Sequence, residues 1–201
     1  MDDVDAPRAG AEGPVGAEGP AGPRRPSAVL GQVVAGQLLL ARSDRAAVIL
    51  TSLLAYPTGF EFEICAILRE PAQPEPAAGA VRSPDGTAVA PRPRTPVDGV
   101  GGLEVAVRFA NGARATNLRR APTDAGQPDG PVLVPLVAST DQWRHEAEFW
   151  VWPLPPQGQL SIECAWPAQE ISHSRVEIAA DLIRQAAAGA VELWPEPAPT
   201  H

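Results

Sequence analysis

The sequence contains no lysine, and this absence excludes several kinds of chemistry. All 16 of its basic side chains are arginines. Without lysine there is no phosphate-binding lysine of the P-loop or kinase type, and there is no Schiff-base catalysis. The formal net charge is -8 and no dense basic patch interrupts the chain, so we expect neither a nucleic acid nor an anionic membrane as partner.

Long apolar runs are missing as well. No window approaches the roughly 18 uninterrupted apolar residues that a membrane span requires. The acidic N-terminus lacks the apolar stretch of a signal peptide. We therefore expect a cytoplasmic protein without a membrane anchor.

Cysteine and histidine are scarce. Cys65 and Cys164 both lie in apolar strand patterns, where a thiol behaves as a small buried side chain. A disulfide between them is geometrically possible, but it is not expected in a reducing compartment. The three histidines, His145, His173 and His201, show no metal-binding spacing, and two isolated cysteines do not complete a zinc site. The sequence therefore predicts neither a metal nor a cofactor.

Proline and glycine, by contrast, are abundant and clustered. The chain has 24 prolines and 18 glycines, concentrated in segments with too few apolar residues to build a core. We predict disorder for residues 1–28, 71–99 and 195–201, and one folded domain over residues 29–194. Two alternatives stay open: collagen-like glycine spacing in the first segment, and a proline-rich docking motif around residues 90–96 in the second.

Several short strands are predicted. Residues 30–38 could form a short amphipathic helix, but the glycines and β-branched residues there favour strands, and alternation of apolar and polar residues predicts strands further along the chain. A proline-containing turn at residues 56–59 separates two of them, and Asn111-Gly112 predicts a type I′ turn between two more. The predicted strands cover residues 33–41, 46–55, 60–70, both sides of Asn111-Gly112, and 132–137.

The most informative stretch is residues 144–167, which we interpret as a β-hairpin reversed by the PLPPQG segment. In its first arm, Ala147, Phe149 and Val151 point to one face, while Trp150 and Trp152 point to the other. A strand that is apolar on both faces requires a cover, for which the C-terminal helix or a proline-rich loop is the expected candidate. The alternative is an exposed aromatic patch that binds a protein or a sugar. Trp166 is assigned to the core.

After Pro167 the apolar period becomes helical. Ser174 and Glu177 match a capping box, and we predict a helix over residues 174–190 with Leu193 and Trp194 pinning its end. The fold class is therefore mainly β: an antiparallel β-sandwich with one C-terminal α-helix and disordered Pro/Gly-rich segments. An immunoglobulin-like strand order is left open, as is one large sheet with the helix packed on it.

The hairpin FWVWPLPPQGQLSIECAWP, with the earlier AYPTGFEFE and the terminal VELWPE, resembles a family of proteins from high-GC bacteria that share this aromatic and proline-rich motif. The resemblance covers about residues 29–70 and 100–195. It implies a common domain and carries no activity over to this chain.

No catalytic motif is present, so the leading hypothesis is a non-enzymatic protein-binding or scaffolding module, with Trp150, Trp152 and Glu148 as binding residues. An alternative is a module that binds a small molecule or carbohydrate. Another is a small hydrolase or transferase that uses His145 with Glu146 or Glu148, although His145 projects to the opposite strand face. A structural alternative is assembly through the N-terminal glycine triplets.

Overall fold

The computed structural model describes residues 24–72, 102–118 and 130–194. The segments predicted to be disordered lie outside these residues, apart from 24–28 and 71–72. The predicted single domain over residues 29–194 stays a prediction.

The described residues form twelve strands and one α-helix. Their bounds are β1 (Val29–Leu30), β2 (Gln32–Ala35), β3 (Leu38–Arg42), β4 (Ala46–Tyr56), β5 (Gly59–Leu68), β6 (Glu104–Arg108), β7 (Arg114–Thr116), β8 (Val132–Thr140), β9 (Arg144–Trp152), β10 (Gln159–Trp166), β11 (Ile171–Ala179), α1 (Ala180–Ala188) and β12 (Val191–Glu192).

Two antiparallel sheets enclose the main core, which confirms the predicted mainly β, antiparallel sandwich with one helix. The larger sheet has the order β2-β4-β5-β9-β8, with β3 also paired to β4, and the smaller has the order β11-β10-β6-β7. Apolar side chains from both sheets form one buried cluster. A short ribbon of β1 and β12 completes the arrangement. The strand order is immunoglobulin-like. The order β4-β5-β9-β8 in the larger sheet corresponds to ABED, and the order β6-β10-β11 in the smaller sheet corresponds to CFG, with β7 added beside β6.

The alternation of the central strands explains their place in the sandwich. In β5, Phe60, Phe62 and Ile64 belong to the main core, while Glu61 and Glu63 point to the outer face. The predicted strands at residues 46–55 and 60–70 are confirmed as β4 and β5. The predicted strand at residues 33–41 is wrong as a single element, because the chain breaks at Gly36 and Gln37 and both halves pair with β4.

The predicted hairpin at residues 144–167 is also wrong. Strand β9 pairs with β5 and β8 in the larger sheet, whereas β10 pairs with β6 and β11 in the smaller one. The connection contains Pro153, Pro155 and Pro156, which cannot donate the backbone hydrogen bonds of a ladder. The PLPPQG segment is therefore the corner at which the chain changes sheet.

The helix is shorter than predicted. Ser174 and Glu177 lie in β11, where Ser161 faces Glu177 and Cys164 faces Ser174 across the ladder with β10. Helix α1 begins only at Ala180 and buries Ile183 and Ala187 against the main core. The capping-box pattern predicted the wrong element because the same residues also alternate between apolar and polar. They can therefore pair as a strand with the free edge of β10.

Two smaller predictions are also corrected. Asn111 and Gly112 do lie between paired strands β6 and β7, but only Gly112 has positive φ, at 85°. The turn is therefore not type I′, which needs positive φ at both central residues. Leu193 and Trp194 do not pin the helix, because both side chains are exposed.

We predict that Gly59→Ala destabilises the domain. A Cβ at this position would lie 2.3 Å from the Val151 carbonyl oxygen and 2.6 Å from Cζ2 of Trp150. Such overpacking costs about 1–3 kcal/mol of unfolding free energy, measurable by urea denaturation. Gly36→Ala is the matched control because nothing lies within 4 Å of its added Cβ. Equal stability of the two variants would contradict the packing described here.

Candidate functional site

The outer face of the larger sheet carries a second apolar cluster, separate from the main core. It contains Tyr56, Val132, Trp150 and Trp152. Trp150 is 0% exposed and Trp152 is 8% exposed. Strand β9 is thus buried on both faces, so the predicted need for a cover is confirmed and the alternative of an exposed aromatic patch is wrong.

The cover is not the predicted C-terminal helix but the end of the N-terminal Pro/Gly-rich segment together with β1. Val29 of β1 packs against the cluster, and the Tyr56 ring meets the Trp150 ring edge to face at 5.6 Å between centroids. A Cβ added to Gly31 would come within 2.6 Å of the Tyr56 ring, so the chain crosses directly over that ring. Helix α1 instead inserts Ile183 into the main core. We call residues 24–29, which reach across this face, the strap.

A charged group borders the aromatic cluster at the centre of the sheet. Nε of Arg25, in the strap, lies 2.7 Å from Oε2 of Glu61, and Nη1 lies 3.6 Å from Oε1 of Glu148. Nη2 donates a hydrogen bond of 3.0 Å to the Tyr56 hydroxyl. The guanidinium also lies over the Tyr56 ring, 5.4 Å from its centroid. Glu148, a predicted binding residue, therefore belongs to an ion-pair cluster that the sequence did not reveal.

The electrostatics of this cluster reflect burial. The pKa of Glu61 is raised, chiefly because burial disfavours the carboxylate and also because Glu148 is close, while Arg25 partly opposes the rise. The pKa of Tyr56 is raised, mainly by burial. The indole nitrogen of Trp150 is buried without a hydrogen-bond partner among the described residues. Burial of these polar groups lowers the stability of the fold, and the Arg25 guanidinium offsets part of that loss.

His145 does not form the acid/base pair considered above. It lies on the inner face of β9, with its ring edge to face against Trp166 at 5.6 Å and Nδ1 3.2 Å from the Thr140 hydroxyl. Glu146 and Glu148 point to the outer face, because alternate residues of a strand face opposite ways. Burial lowers the pKa of His145, and Asp141 partly offsets this. The geometry is that of a core histidine.

The smaller sheet carries one buried carboxylate on its outer face. Glu163 accepts hydrogen bonds from Nε of Arg108 at 2.8 Å and from Nε of Arg114 at 3.0 Å. Burial alone would raise the pKa of Glu163, but these two arginines outweigh it and the pKa is lowered. Both arginines come from the β6–β7 hairpin, so their contacts with Glu163 fix the hairpin to β10.

Neither cysteine offers a reactive thiol. Cys65 and Cys164 are buried and unpaired with each other. Burial raises the pKa of Cys164 to about 11, and it also raises that of Cys65. Within the described ranges, no three His, Cys, Asp or Glu side chains are placed to hold a metal ion.

A cleft of about 580 Å³ opens at one end of the sandwich. Its walls include Arg45 and Arg69 but also Asp44, Glu70 and Glu170, and Nη1 of Arg45 lies 3.4 Å from Oε1 of Glu170. Two basic and three acidic side chains are therefore mixed along the cleft walls, which does not favour a ligand of one strong charge.

The β1–β12 ribbon exposes a set of large apolar side chains. Leu30 pairs with Val191 across the ribbon, and Leu193 directly follows the end of β12. With the adjacent Trp194, these side chains are 46% to 73% exposed. We call Leu30, Val191, Leu193 and Trp194 the ribbon patch. The sequence did not indicate this patch, because Leu193 and Trp194 were expected to pin the end of the helix.

Comparisons with protein-family models, with curated proteins and with solved structures found no match to this chain. None of the helical residues in the described ranges forms a helix long and apolar enough to cross a membrane. Function is therefore inferred from the geometry alone, and the resemblance suggested by the β9–β10 motif stays a prediction.

We predict that Trp150→Ala destabilises the domain, because it removes a large, fully buried ring. Truncation of a buried tryptophan costs about 3–5 kcal/mol. Chemical denaturation of the variant and of the exposed control Trp194→Ala measures the difference. A Trp150→Ala variant as stable as the parent would show that the ring is not part of a core.

We also predict a pH dependence of stability from His145. Because its pKa is lowered from the usual 6.5 on folding, the unfolded chain binds the proton more readily. The contribution is therefore complete above the unfolded pKa and is lost as the pH falls toward the folded pKa. Unfolding free energies measured above and below that window should differ less in His145→Gln than in the parent. An unchanged difference would contradict the buried, neutral imidazole.

Proposed function

We propose that this chain is a non-enzymatic protein-binding module and that the ribbon patch is its binding surface. The observation that supports this is that four large apolar side chains, all at least 46% exposed, lie on one short ribbon or directly after it. Single exposed apolar side chains are normal on protein surfaces, whereas a contiguous group is typical of an interaction site. Tryptophan, here Trp194, is among the residues most enriched at interface hot spots.

The ribbon is suited to present these side chains. Its two paired positions, Val29 with Glu192 and Leu30 with Val191, are extended by a hydrogen bond of 2.8 Å from the Leu193 amide to the Ala28 carbonyl. Val29 on its other face is anchored in the outer cluster. These contacts hold the ribbon in place, so the exposed side chains of the patch are attached to an ordered backbone.

The remaining alternatives receive less support from the geometry. A sugar-binding platform at Trp150 and Trp152 lacks an accessible ring face, since both are buried. A hydrolase built on His145 lacks a carboxylate partner from Glu146 or Glu148. The net charge of -8 favours a protein partner in the cytoplasm over a polyanion.

We predict that a Leu193→Ser/Trp194→Ser variant loses its protein partner while keeping its fold. The full-length tagged chain is used to capture bound proteins from the native cytoplasm, with quantification by mass spectrometry. Removing two interface anchors should lower recovery of a specific partner at least tenfold.

The control is Val137→Ser, which removes a similarly exposed apolar side chain from β8, an edge strand of the larger sheet that does not belong to the ribbon. It should retain the partner. Equal recovery with the parent, the control and the patch variant would contradict the assignment of the ribbon patch as the binding surface.

A further inference from the structure

The Arg25 side chain is surrounded by a complete set of guanidinium-binding groups. Glu61 and Glu148 supply carboxylates at 2.7 Å and 3.6 Å. The Tyr56 hydroxyl accepts at 3.0 Å, and its ring offers a face at 5.4 Å. Paired carboxylates and an aromatic face are the features that distinguish arginine recognition from recognition of a compact ammonium ion.

We propose that Glu61, Glu148 and Tyr56 form a binding site for an arginine side chain, which Arg25 fills within the chain and which an arginine-bearing peptide segment of a partner protein can enter in its place. This inference does not depend on the ribbon patch. It assigns a second site, on the outer face of the larger sheet, with the guanidinium group as the ligand chemistry.

The walls of this site belong to the most regular part of the fold. Tyr56 ends β4, Glu61 lies in β5 and Glu148 lies in β9, three neighbouring strands at the centre of the larger sheet. Glu61 faces Trp150 and Glu63 faces Glu148 in the β5–β9 register. Because the ladders fix these positions, the site keeps its geometry when Arg25 leaves, as a preorganised site must.

The occupant, in contrast, is held by little else. In the described part of the chain, residues 24–27 make their hydrogen bonds and ion pairs to the rest of the domain only through the Arg25 side chain. That side chain is still 42% exposed. Ladder pairing begins at Val29, which faces Glu192. Residues 24–27 can therefore move away from the sheet without breaking the ribbon, whose first contact is the hydrogen bond from the Leu193 amide to the Ala28 carbonyl.

An empty site would be costly, which is why an incoming cation should bind. Glu61 is buried beside Glu148, and a buried carboxylate without a cation is strongly disfavoured. The nearby Trp150 indole nitrogen also has no acceptor among the described residues, so the strap does not satisfy every polar group here. Arg25 competes with any external arginine. The apparent affinity for the external arginine is therefore the intrinsic affinity multiplied by the fraction of molecules in which Arg25 has left the site.

The test uses the free, end-blocked peptide AGPRRPSA, which is residues 21–28 of this chain, as the probe. Tyr56 is the only tyrosine, so its ring signals in NMR spectra report on the site without ambiguity. The peptide is titrated into the full-length parent, into Arg25→Ala, and into Arg25→Ala/Glu61→Gln. A peptide with citrulline in place of both arginines keeps the shape and removes the charge.

We expect Arg25→Ala to bind the arginine peptide at least tenfold more tightly than the parent does, because the competing Arg25 side chain is gone. Binding should shift the Tyr56 ring signals. Adding Glu61→Gln should weaken that binding at least tenfold, and the citrulline peptide should produce no shift. Gln at this position should be tolerated, since it fills nearly the same volume without a buried charge.

A folded Arg25→Ala chain whose Tyr56 signals ignore the arginine peptide would overturn the proposal, as would equal binding of the citrulline peptide. If Arg25→Ala does not fold alone, recovery of the folded spectrum on adding the arginine peptide supports the proposal and no recovery overturns it. The Leu193→Ser/Trp194→Ser variant in the Arg25→Ala background should bind the peptide normally, which separates this site from the ribbon patch.

Discussion

Burial of Trp150 on the outer face of the larger sheet is the constraint on which the rest of this structure depends. Its neighbours Phe149 and Val151 already face the main core, so β9 must be covered on both sides. The smaller sheet supplies the inner cover. The strap and β1 supply the outer one, and they in turn place Leu30 opposite Val191 in the ribbon. The position of the exposed ribbon patch thus follows from the need to cover one tryptophan.

Charge enters the structure where that apolar cover ends. Glu61 pairs across the ladder with Trp150, at the border between the aromatic cluster and the open part of the sheet. A carboxylate in this place is tolerated only with a cation beside it, and Arg25 provides one from the strap. The same logic applies on the smaller sheet, where Arg108 and Arg114 hold the buried Glu163. In both cases a buried acid ties a peripheral segment to a central strand.

The sequence predicted elements where a short-range period decides the structure. Strict alternation identified β5 and β9, and it also separated Phe149 from Trp150 correctly. The predictions failed where distant partners decide. The sequence pattern of two strands joined by PLPPQG is the same whether the strands pair with each other or lie in different sheets. The residues of β11 fit a helical period as well as a strand period, and only the free edge of β10 decides between them.

The candidate sites depend on contacts between residues that are far apart in the sequence. Arg25 lies in a Pro/Gly-rich stretch with no apolar period, and its partner Glu61 is 36 positions away, in a strand whose polar residues were assigned simply to an outer face. Nothing local indicates that these two side chains meet. Trp150 and Trp152 were correctly selected as informative, but only the fold shows that their cover comes from the N-terminal side of the chain.

The most direct test of this account is hydrogen exchange of the five tryptophan indole N–H groups, each assigned in NMR spectra of the full-length chain. Trp194, at 73% exposed, provides the internal reference, while Trp150 is 0% exposed. If the strap covers the outer face, the Trp150 indole exchanges roughly a hundredfold or more slowly than that of Trp194, because exchange requires local opening. Exchange of both indoles at the same rate would contradict the doubly covered sheet.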